Sequence, residues 1–310
     1  MLQLRRILFP TDFSAVAEDA FSHAAYLAAH YDAEVHVFNV VTPQHANQAN
    51  PMDYLPLESA GESDDYFFAT EEDVEVPTRG ESDDNVPVVY QKMEGASPPQ
   101  AIVDYVDEHD IDLVVMGTHG RQGVDRLLSG SVSEEVVRRA VCPVFTVLGR
   151  EEPRPGPEIN QILAPVDFSE HTNLAIGHAK ALADAYDASI NLLHVVEDTV
   201  FPTVYGIDPL TPSLPDVQKR AREALEGLAA SIDIGRQVNV HVTSGYAAGD
   251  IVDFAKDHDS DLIVMSTHGR TGLQRFLIGS VAEKVVRQAP SPVFTVKSFG
   301  KSLLADKSSA

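Results

Sequence analysis

The chain has 310 residues, 23 of them Lys or Arg against 47 Asp or Glu, for a formal charge of −24, and 44% are hydrophobic. That length suits two domains of ordinary size, and that charge excludes a surface that neutralises phosphate along nucleic acid or an anionic membrane. A lone Cys142 excludes an intramolecular disulfide and a cysteine-rich zinc site. The opening residues MLQLRRILFP lack the apolar core of a signal peptide, and no apolar run approaches the ~18 residues of a membrane helix, so a soluble cytoplasmic protein is expected. The acidity, set against only eight Lys, fits the solvated surface of a protein from salt-rich cytoplasm, where ionic strength screens self-repulsion; an ordinary acidic protein is the alternative.

The first element in chain order, Ile7-Leu8-Phe9-Pro10-Thr11-Asp12-Phe13-Ser14, returns 155 positions later as Ile162-Leu163-Ala164-Pro165-Val166-Asp167-Phe168-Ser169. Next comes a segment over 43–85 with twelve acidic residues, one basic residue (Arg79), several Pro and Gly, and no helical period. Such a composition reads as a solvated loop, or as a lid or interaction segment with Tyr54, Leu55, Tyr66, Phe67 and Phe68 as anchors. Residues 109–148 then recur at 258–297, with 26 of 40 positions identical at an offset of 149. The chain is therefore two copies of one domain. The first spans 1–148 with the acidic insert 43–85; a charged Pro/Gly-rich linker covers 149–157, the second copy 158–298 and a tail 299–310.

Within the second copy the pattern predicts strand over 161–164, helix over 173–186, strand over 189–196, helix over 216–232 and strand over 238–243. Helix over 250–257, strand over 261–265, helix over 280–288 and strand over 293–296 complete it. Apolar strands alternating with helices indicate a mainly parallel five-stranded sheet covered on both faces, a doubly wound, Rossmann-like α/β domain in each copy. The closing strands, 144–147 and 293–296, are apolar edge candidates expected to pair with each other across a pseudo-twofold axis, making the chain an internal pseudo-dimer.

In such a sheet, ligands bind beyond the carboxyl ends of the strands. After the fourth strand of copy one stand Gly117-Thr118-His119-Gly120-Arg121-Gln122-Gly123 and, later, Gly130-Ser131 at a helix start; copy two has Ser266-Thr267-His268-Gly269-Arg270-Thr271-Gly272 and Gly279-Ser280. Glycines bring backbone N–H groups close to an anion, and a helix start adds unsatisfied N–H groups and a favourable dipole, so Gly-Ser at that start is a sound phosphate cradle. No Gly-Lys-Ser/Thr stands at Walker spacing, and no glycine fingerprint comes after the first strand, which argues against an NAD or FAD enzyme.

A glycine, two residues, a glycine, nine residues and Gly-Ser, with Pro-Thr/Val-Asp-Phe-Ser ending strand one and Pro-Val-Phe-Thr-Val closing each copy, resembles the nucleotide-binding signature of the universal stress protein family. The resemblance covers both halves apart from the insert and the tail, and is to tandem members in which the two copies form the dimer within one chain. It implies that Asp12 and Asp167 contact adenosine and that Val40 and Val195 offer backbone to the adenine edge. It implies that Gly117, Gly120, Gly130, Ser131 and Val132 line ribose and phosphates in copy one, and Gly269, Gly279, Ser280 and Val281 in copy two. Ser266 stands where the first glycine is expected, a departure that weakens the site if the position needs positive φ. Arg121 and Arg270 are placed to face phosphate.

Each residue also has a structural reading. Ser131 with Glu134, and Ser280 with Glu283, have capping-box spacing; Asp12 and Asp167 could cap the first helix of each copy; His119 and His268 read as exposed loop histidines or as ligand contacts. No catalytic constellation is present, so hydrolysis is expected to be slow or absent. The expected function is an ATP-binding stress or signalling module, with Mg2+ held mainly by phosphate and water. Its partners are a small nucleotide and neither nucleic acid nor membrane, and further association of whole chains is left open. The alternative is an interaction protein of the same fold that binds no nucleotide and acts through its dimer-like surface or acidic insert.

Overall fold

Strands such as Ile7-Leu8-Phe9 and Leu262-Ile263-Val264 have no polar face, and each of these six side chains is fully buried. That is what a parallel sheet with helices on both faces demands. A computed structural model of the chain describes residues 2–42, 74–75, 85–118, 131–148, 157–197, 214–269 and 278–304. They divide into two units: unit 1 holds the described residues up to 158 together with 294–304, and unit 2 holds 159–269 and 278–293.

In unit 1, β1 (Arg6–Pro10) leads through α1 (Ala15–Tyr31) to β2 (Glu34–Val41); the short β3 (Val74–Glu75) and β4 (Asn85–Val86) pair antiparallel, and β5 (Val88–Glu94) comes next. Then come α2 (Pro98–Glu108), β6 (Leu113–Gly117), α3 (Ser131–Arg139) and β7 (Val144–Val147). The strands run in the order β7-β6-β1-β2-β5 and are all parallel. Unit 2 repeats the plan with β8 (Gln161–Pro165), α4 (Glu170–Tyr186), β9 (Ser189–Glu197), α5 (Leu214–Ala230), β10 (Val238–Gly245), α6 (Ala247–Asp257), β11 (Leu262–Ser266) and α7 (Ser280–Gln288). Its parallel order is β10-β9-β8-β11. The fifth strand of the second copy, β12 (Val293–Val296), stands beside β7 in the strand order.

Both repeats use the same local devices. Asp112 Oδ2 accepts from the N–H groups of Arg5 and Arg6 (2.8 and 3.0 Å), and Asp261 Oδ2 from those of Asn160 and Gln161 (2.9 and 3.1 Å). The second Asp of each His-Asp-x-Asp run therefore clamps the start of the central strand. Helices α1 and α4 end on Asp32 and Asp187, which adopt φ of 54° and 58°, in the left-handed region. Helix α6 begins at Ala247 rather than 250, because Asp250 Oδ2 reaches back to the N–H of Tyr246 (2.7 Å) and fixes that residue as the N-cap. Helix α5 packs on β10 and β9 through Ala221 and Leu225. In the matching connection of the first repeat, the described residues are Val74–Glu75 and Asn85, paired in the β3–β4 ladder; the aromatic residues expected as lid anchors lie outside the described residues.

From Phe294 onward the chain is part of unit 1. Thr295 Oγ1 donates to Val144 O (3.1 Å) and the Phe294 ring meets Phe145 edge-on. Lys297 Nζ donates to Arg138 O (2.9 Å) and to Ala140 O, where the end of α3 leaves carbonyls without intrahelical partners. Farther on, Lys301 Nζ bridges Asp110 Oδ1 (2.8 Å) and Asp112 Oδ1 (2.6 Å), Gln3 N donates to Leu303 O (2.6 Å), and Leu303 is fully buried.

Replacing Asp32 by Gly removes a left-handed strain and a carboxylate at a helix C-terminus, so urea unfolding is expected to show a gain of about 0.5–1 kcal/mol; a loss would contradict this account of the cap. Burial pushes the Lys297 amine down to about 8, against an ordinary 10.5. The folded state then binds fewer protons than the unfolded state between those values, so the desolvation penalty is full below pH 8 and is relieved as pH rises toward 10.5. Relative to Lys297→Met, the wild-type unfolding free energy is expected to rise over that window; a flat difference would contradict the burial effect.

Candidate functional site

In each repeat, the order of strands reverses at the central strand: β1 has β2 on one side and β6 on the other, and β8 has β9 and β11. The crevice at such a switch point lies beyond the carboxyl ends of the two strands whose connections leave in opposite directions. Asp12 and Asp167 come just after the first of those strands, and Gly117 and Ser266 end the second.

The second repeat carries the more completely described site. Asp167 Oδ1 accepts from Ser169 N (3.0 Å) and Thr172 Oγ1 (2.8 Å), which fix the carboxylate at the entrance to α4. Gly269 lies against its other oxygen: a Cβ on Gly269 would stand 2.8 Å from Asp167 Oδ2, inside any normal contact. The loop is tied at its far end too, since Gly279 N donates to Thr267 O (2.8 Å) and a Cβ on Gly279 would stand 3.1 Å from that carbonyl. Asp167, Ser266, Gly269, Gly279, Ser280 and Val281 are thus gathered at one strand end. Ser280 and Val281 open α7, whose first N–H groups have no intrahelical acceptor by helix geometry. Val195 lies near the carboxyl end of β9, one residue after His194, whose Nδ1 is 2.6 Å from Val166 O.

The first repeat builds the same frame from different atoms. Ser14 N donates to Asp12 Oδ1 (3.1 Å), and Asn39 Nδ2 donates to Thr11 O (2.8 Å), the counterpart of the His194 contact. Val40 lies near the end of β2, Gly117 pairs with Val147, and Thr118 N donates to Val147 O (2.9 Å). Ser131 and Val132 open α3, and Ser133 Oγ in its first turn reaches Thr118 O at 3.5 Å. Gly120, Arg121, Gly130 and His119 in this repeat, and Arg270 in the other, lie outside the described residues.

Three expectations need correction. Ser280 is not an N-cap: Gly279 holds that position, with φ −65° and ψ 145°, so Glu283 falls one residue too late for a capping box and no side chain caps the helix. Asp12 and Asp167 are not helix caps either; Ser14 and Ser169 are, and the carboxylates accept from the N–H groups of those serines. His268 is not an exposed loop residue, because only 6% of its surface is accessible and its Nδ1 lies 3.0 Å from Thr267 Oγ1. The departure at Ser266 carries no backbone penalty, since neither Ser266 nor Gly117 has positive φ, and Ser266 Oγ accepts from His268 N (3.2 Å). Phe13 and Phe168, which carry no backbone signal in the sequence, both take φ of 58° directly after the strand-end aspartate. Such strain is held only where the surroundings over-determine it; Phe168 stacks obliquely on His194, with ring centroids 4.7 Å apart.

Two doubly wound α/β repeats in tandem, each with an aspartate just after its first strand and a glycine-rich motif following its fourth in sequence, define the class of protein. The chain belongs to the universal stress protein family, whose model matches residues 3–147 and again 158–297. It is 30% identical over 152 residues to a universal stress protein of Methanocaldococcus jannaschii, covering 44% of this chain and 94% of that one. It is 27% identical over 295 residues to a universal stress protein of Mycolicibacterium smegmatis, covering 94% of this chain and 96% of the relative. The fold also matches a crystal structure of a putative universal stress protein from Pseudomonas aeruginosa, with a TM-score of 0.64, 19% identity, and coverage of 95% of this chain and 93% of that one.

If the Gly269 backbone packs on the Asp167 carboxylate, Gly269→Ala must displace it and is expected to cost about 1–2 kcal/mol of stability. In the background of Asp167→Ala that cost should largely vanish, and a double-mutant cycle by thermal unfolding reads the coupling. Additive effects would place the glycine's role elsewhere.

Proposed function

We propose that the chain is an adenine-nucleotide-binding stress or signalling module with one site per repeat, taking ATP and hydrolysing it slowly or not at all. The observation that carries this reading is the meeting of the described loop ends in the second repeat, where a fixed carboxylate, two close-packed glycines and the start of α7 share one strand end. A carboxylate accepts hydrogen bonds and repels phosphate, so Asp167 suits the hydroxyls of a ribose. The N–H groups of Ser280 and Val281 suit phosphate oxygens. Backbone at Val195, and at Val40 in the first repeat, is available to the edge of a base beyond the neighbouring strand. Asp12, Gly117, Ser131 and Val132 repeat the arrangement in the first copy, and Gly120, Arg121, Gly130 and Arg270 complete the motif in sequence. Among the described residues no cluster of three or more His, Cys, Asp or Glu could hold a metal; a magnesium ion accompanying the phosphates would draw its ligands from phosphate and water.

The same reading extends to the setting. No helix among the described residues is long and apolar enough to cross a membrane, and a cytoplasmic location with salt-tolerant acidity fits the charge of −24. The two repeats form an internal pseudo-dimer in this proposal, supported by the membership of residues 294–304, the end of the second copy and the start of its tail, in unit 1.

Mass spectrometry of small molecules released by denaturing the purified protein, and then calorimetric titration with ATP and Mg2+ in high salt, tests the proposal. The expected result is an adenine nucleotide and up to two sites, with Gly279→Val weakening the second repeat's site by about tenfold or more, an effect of ~1.4 kcal/mol. No released nucleotide and no measurable affinity would overturn it in favour of the non-binding interaction protein.

A further inference from the structure

The two repeats differ in charge within the first turns of the helix behind the glycine loop. In α7, Lys284 stands four residues after Ser280, on the same helical face and about 6 Å away between Cβ atoms. Its stem leans toward the helix N-terminus, as helical side chains do. The ammonium is held there: Nζ donates to Tyr246 Oη at 2.7 Å and lies 4.7 Å from the centre of the Tyr246 ring. Tyr246 is fixed in turn, its N–H bound by Asp250 Oδ2 (2.7 Å) and its ring resting beside Gly249, so an exposed aromatic that caps α6 at the carboxyl end of β10 holds this lysine of the first turns of α7 in one position.

The first repeat has neither partner. Glu135 occupies the position of Lys284, and Ala96 and Ser97 lie between Gly95 and α2 where Tyr246 precedes α6. Glu135 turns away to pair with Arg138 and Arg139 farther along its helix. With Glu134 and Glu283 common to the two, the start of α3 carries two carboxylates and the start of α7 one carboxylate and one ammonium.

We propose that Lys284, positioned by Tyr246, makes the second repeat selective for nucleotides with more phosphates, whereas Glu135 makes the first repeat indifferent to phosphate number or biased toward fewer. This rests on the reading of both loops as nucleotide sites. Each unit of charge within ~8–10 Å of a polyphosphate is worth on the order of 1 kcal/mol at the effective dielectric of a protein surface, less in salt. Exchanging Lys for Glu changes the local charge by two units and changes the preference for ATP over AMP by about tenfold or more.

The sites are read singly in full-length protein, the second in a Gly130→Val background and the first in a Gly279→Val background, by calorimetric titration with ATP and with AMP. Lys284→Glu is expected to lower the ATP-to-AMP affinity ratio of the second repeat by about tenfold with AMP affinity nearly unchanged, and Lys284→Arg to preserve it. Tyr246→Ala should produce a smaller loss, and Glu135→Lys should raise the ratio in the first repeat. Unchanged thermal unfolding of the variants at the exposed Lys284 and Tyr246 separates the effect from misfolding. Equal ratios in the two repeats that no substitution moves would overturn the specificity assignment while leaving nucleotide binding intact. Absence of binding to either nucleotide in both backgrounds and in the wild type would remove the underlying reading and this inference together.

Discussion

The close packing of the Gly269 backbone on the Asp167 carboxylate is the contact on which the second repeat's site depends. Ser169 N and Thr172 Oγ1 hold this carboxylate through Oδ1, and a Cβ on Gly269, in the loop that leaves β11, would stand 2.8 Å from Oδ2, so a side chain there must displace the carboxylate. The far end of the loop is returned to the same place by the bond from Gly279 N to Thr267 O, and the next helix must therefore begin at the switch point of the sheet. Glycine placement and helix start thus meet at the point where the strand order reverses, which is where such a sheet opens its crevice.

The same frame in the first repeat shows which parts are interchangeable. A lysine-poor, acidic chain keeps the strand-end aspartate, the left-handed phenylalanine after it and the aspartate clamp on the central strand in both copies. It varies the side chain that reaches the carbonyl before the aspartate, Asn39 in one and His194 in the other. What differs most is charge beside the helix start and the way the chain closes. Residues 294–304 belong by sequence to the second copy and its tail, yet they complete unit 1 through Thr295, Lys297, Lys301 and Leu303. Lys297 supplies a buried cation to the carbonyl end of α3, a partnership that no local sequence pattern encodes.

The fold was legible because a repeat doubles the signal. Fully apolar runs such as Ile162-Leu163 and Val264-Met265 can only be buried strands when helices alternate with them, and the closing helix and strand of the second copy begin and end where the pattern placed them. The start of α6 slipped for a side-chain reason: Asp250 reads as a helix start but acts backward on Tyr246. The starts of α4 and α5 moved by two or three residues, to Glu170 and Leu214. The site was legible as a spacing of glycines and not as a mechanism. Ser280 with Glu283 has the letters of a capping box, and only the dihedral angles of Gly279 assign the cap to the residue before. Phe168 gave no warning at all, because left-handed backbone at a phenylalanine is dictated by its surroundings and not by its own preference.

A single measurement separates a nucleotide cradle from a glycine loop that merely turns the chain: the backbone amide shifts of Ser131, Val132, Ser280 and Val281 during titration with a non-hydrolysable ATP analogue and Mg2+. Phosphate oxygens accepting from helix-start N–H groups move those amide protons strongly downfield, in saturable fashion, and adenosine alone moves them far less. That is the result expected if the strand-end loops hold nucleotide. Resonances at all four amides that stay unmoved at saturating analogue would contradict it.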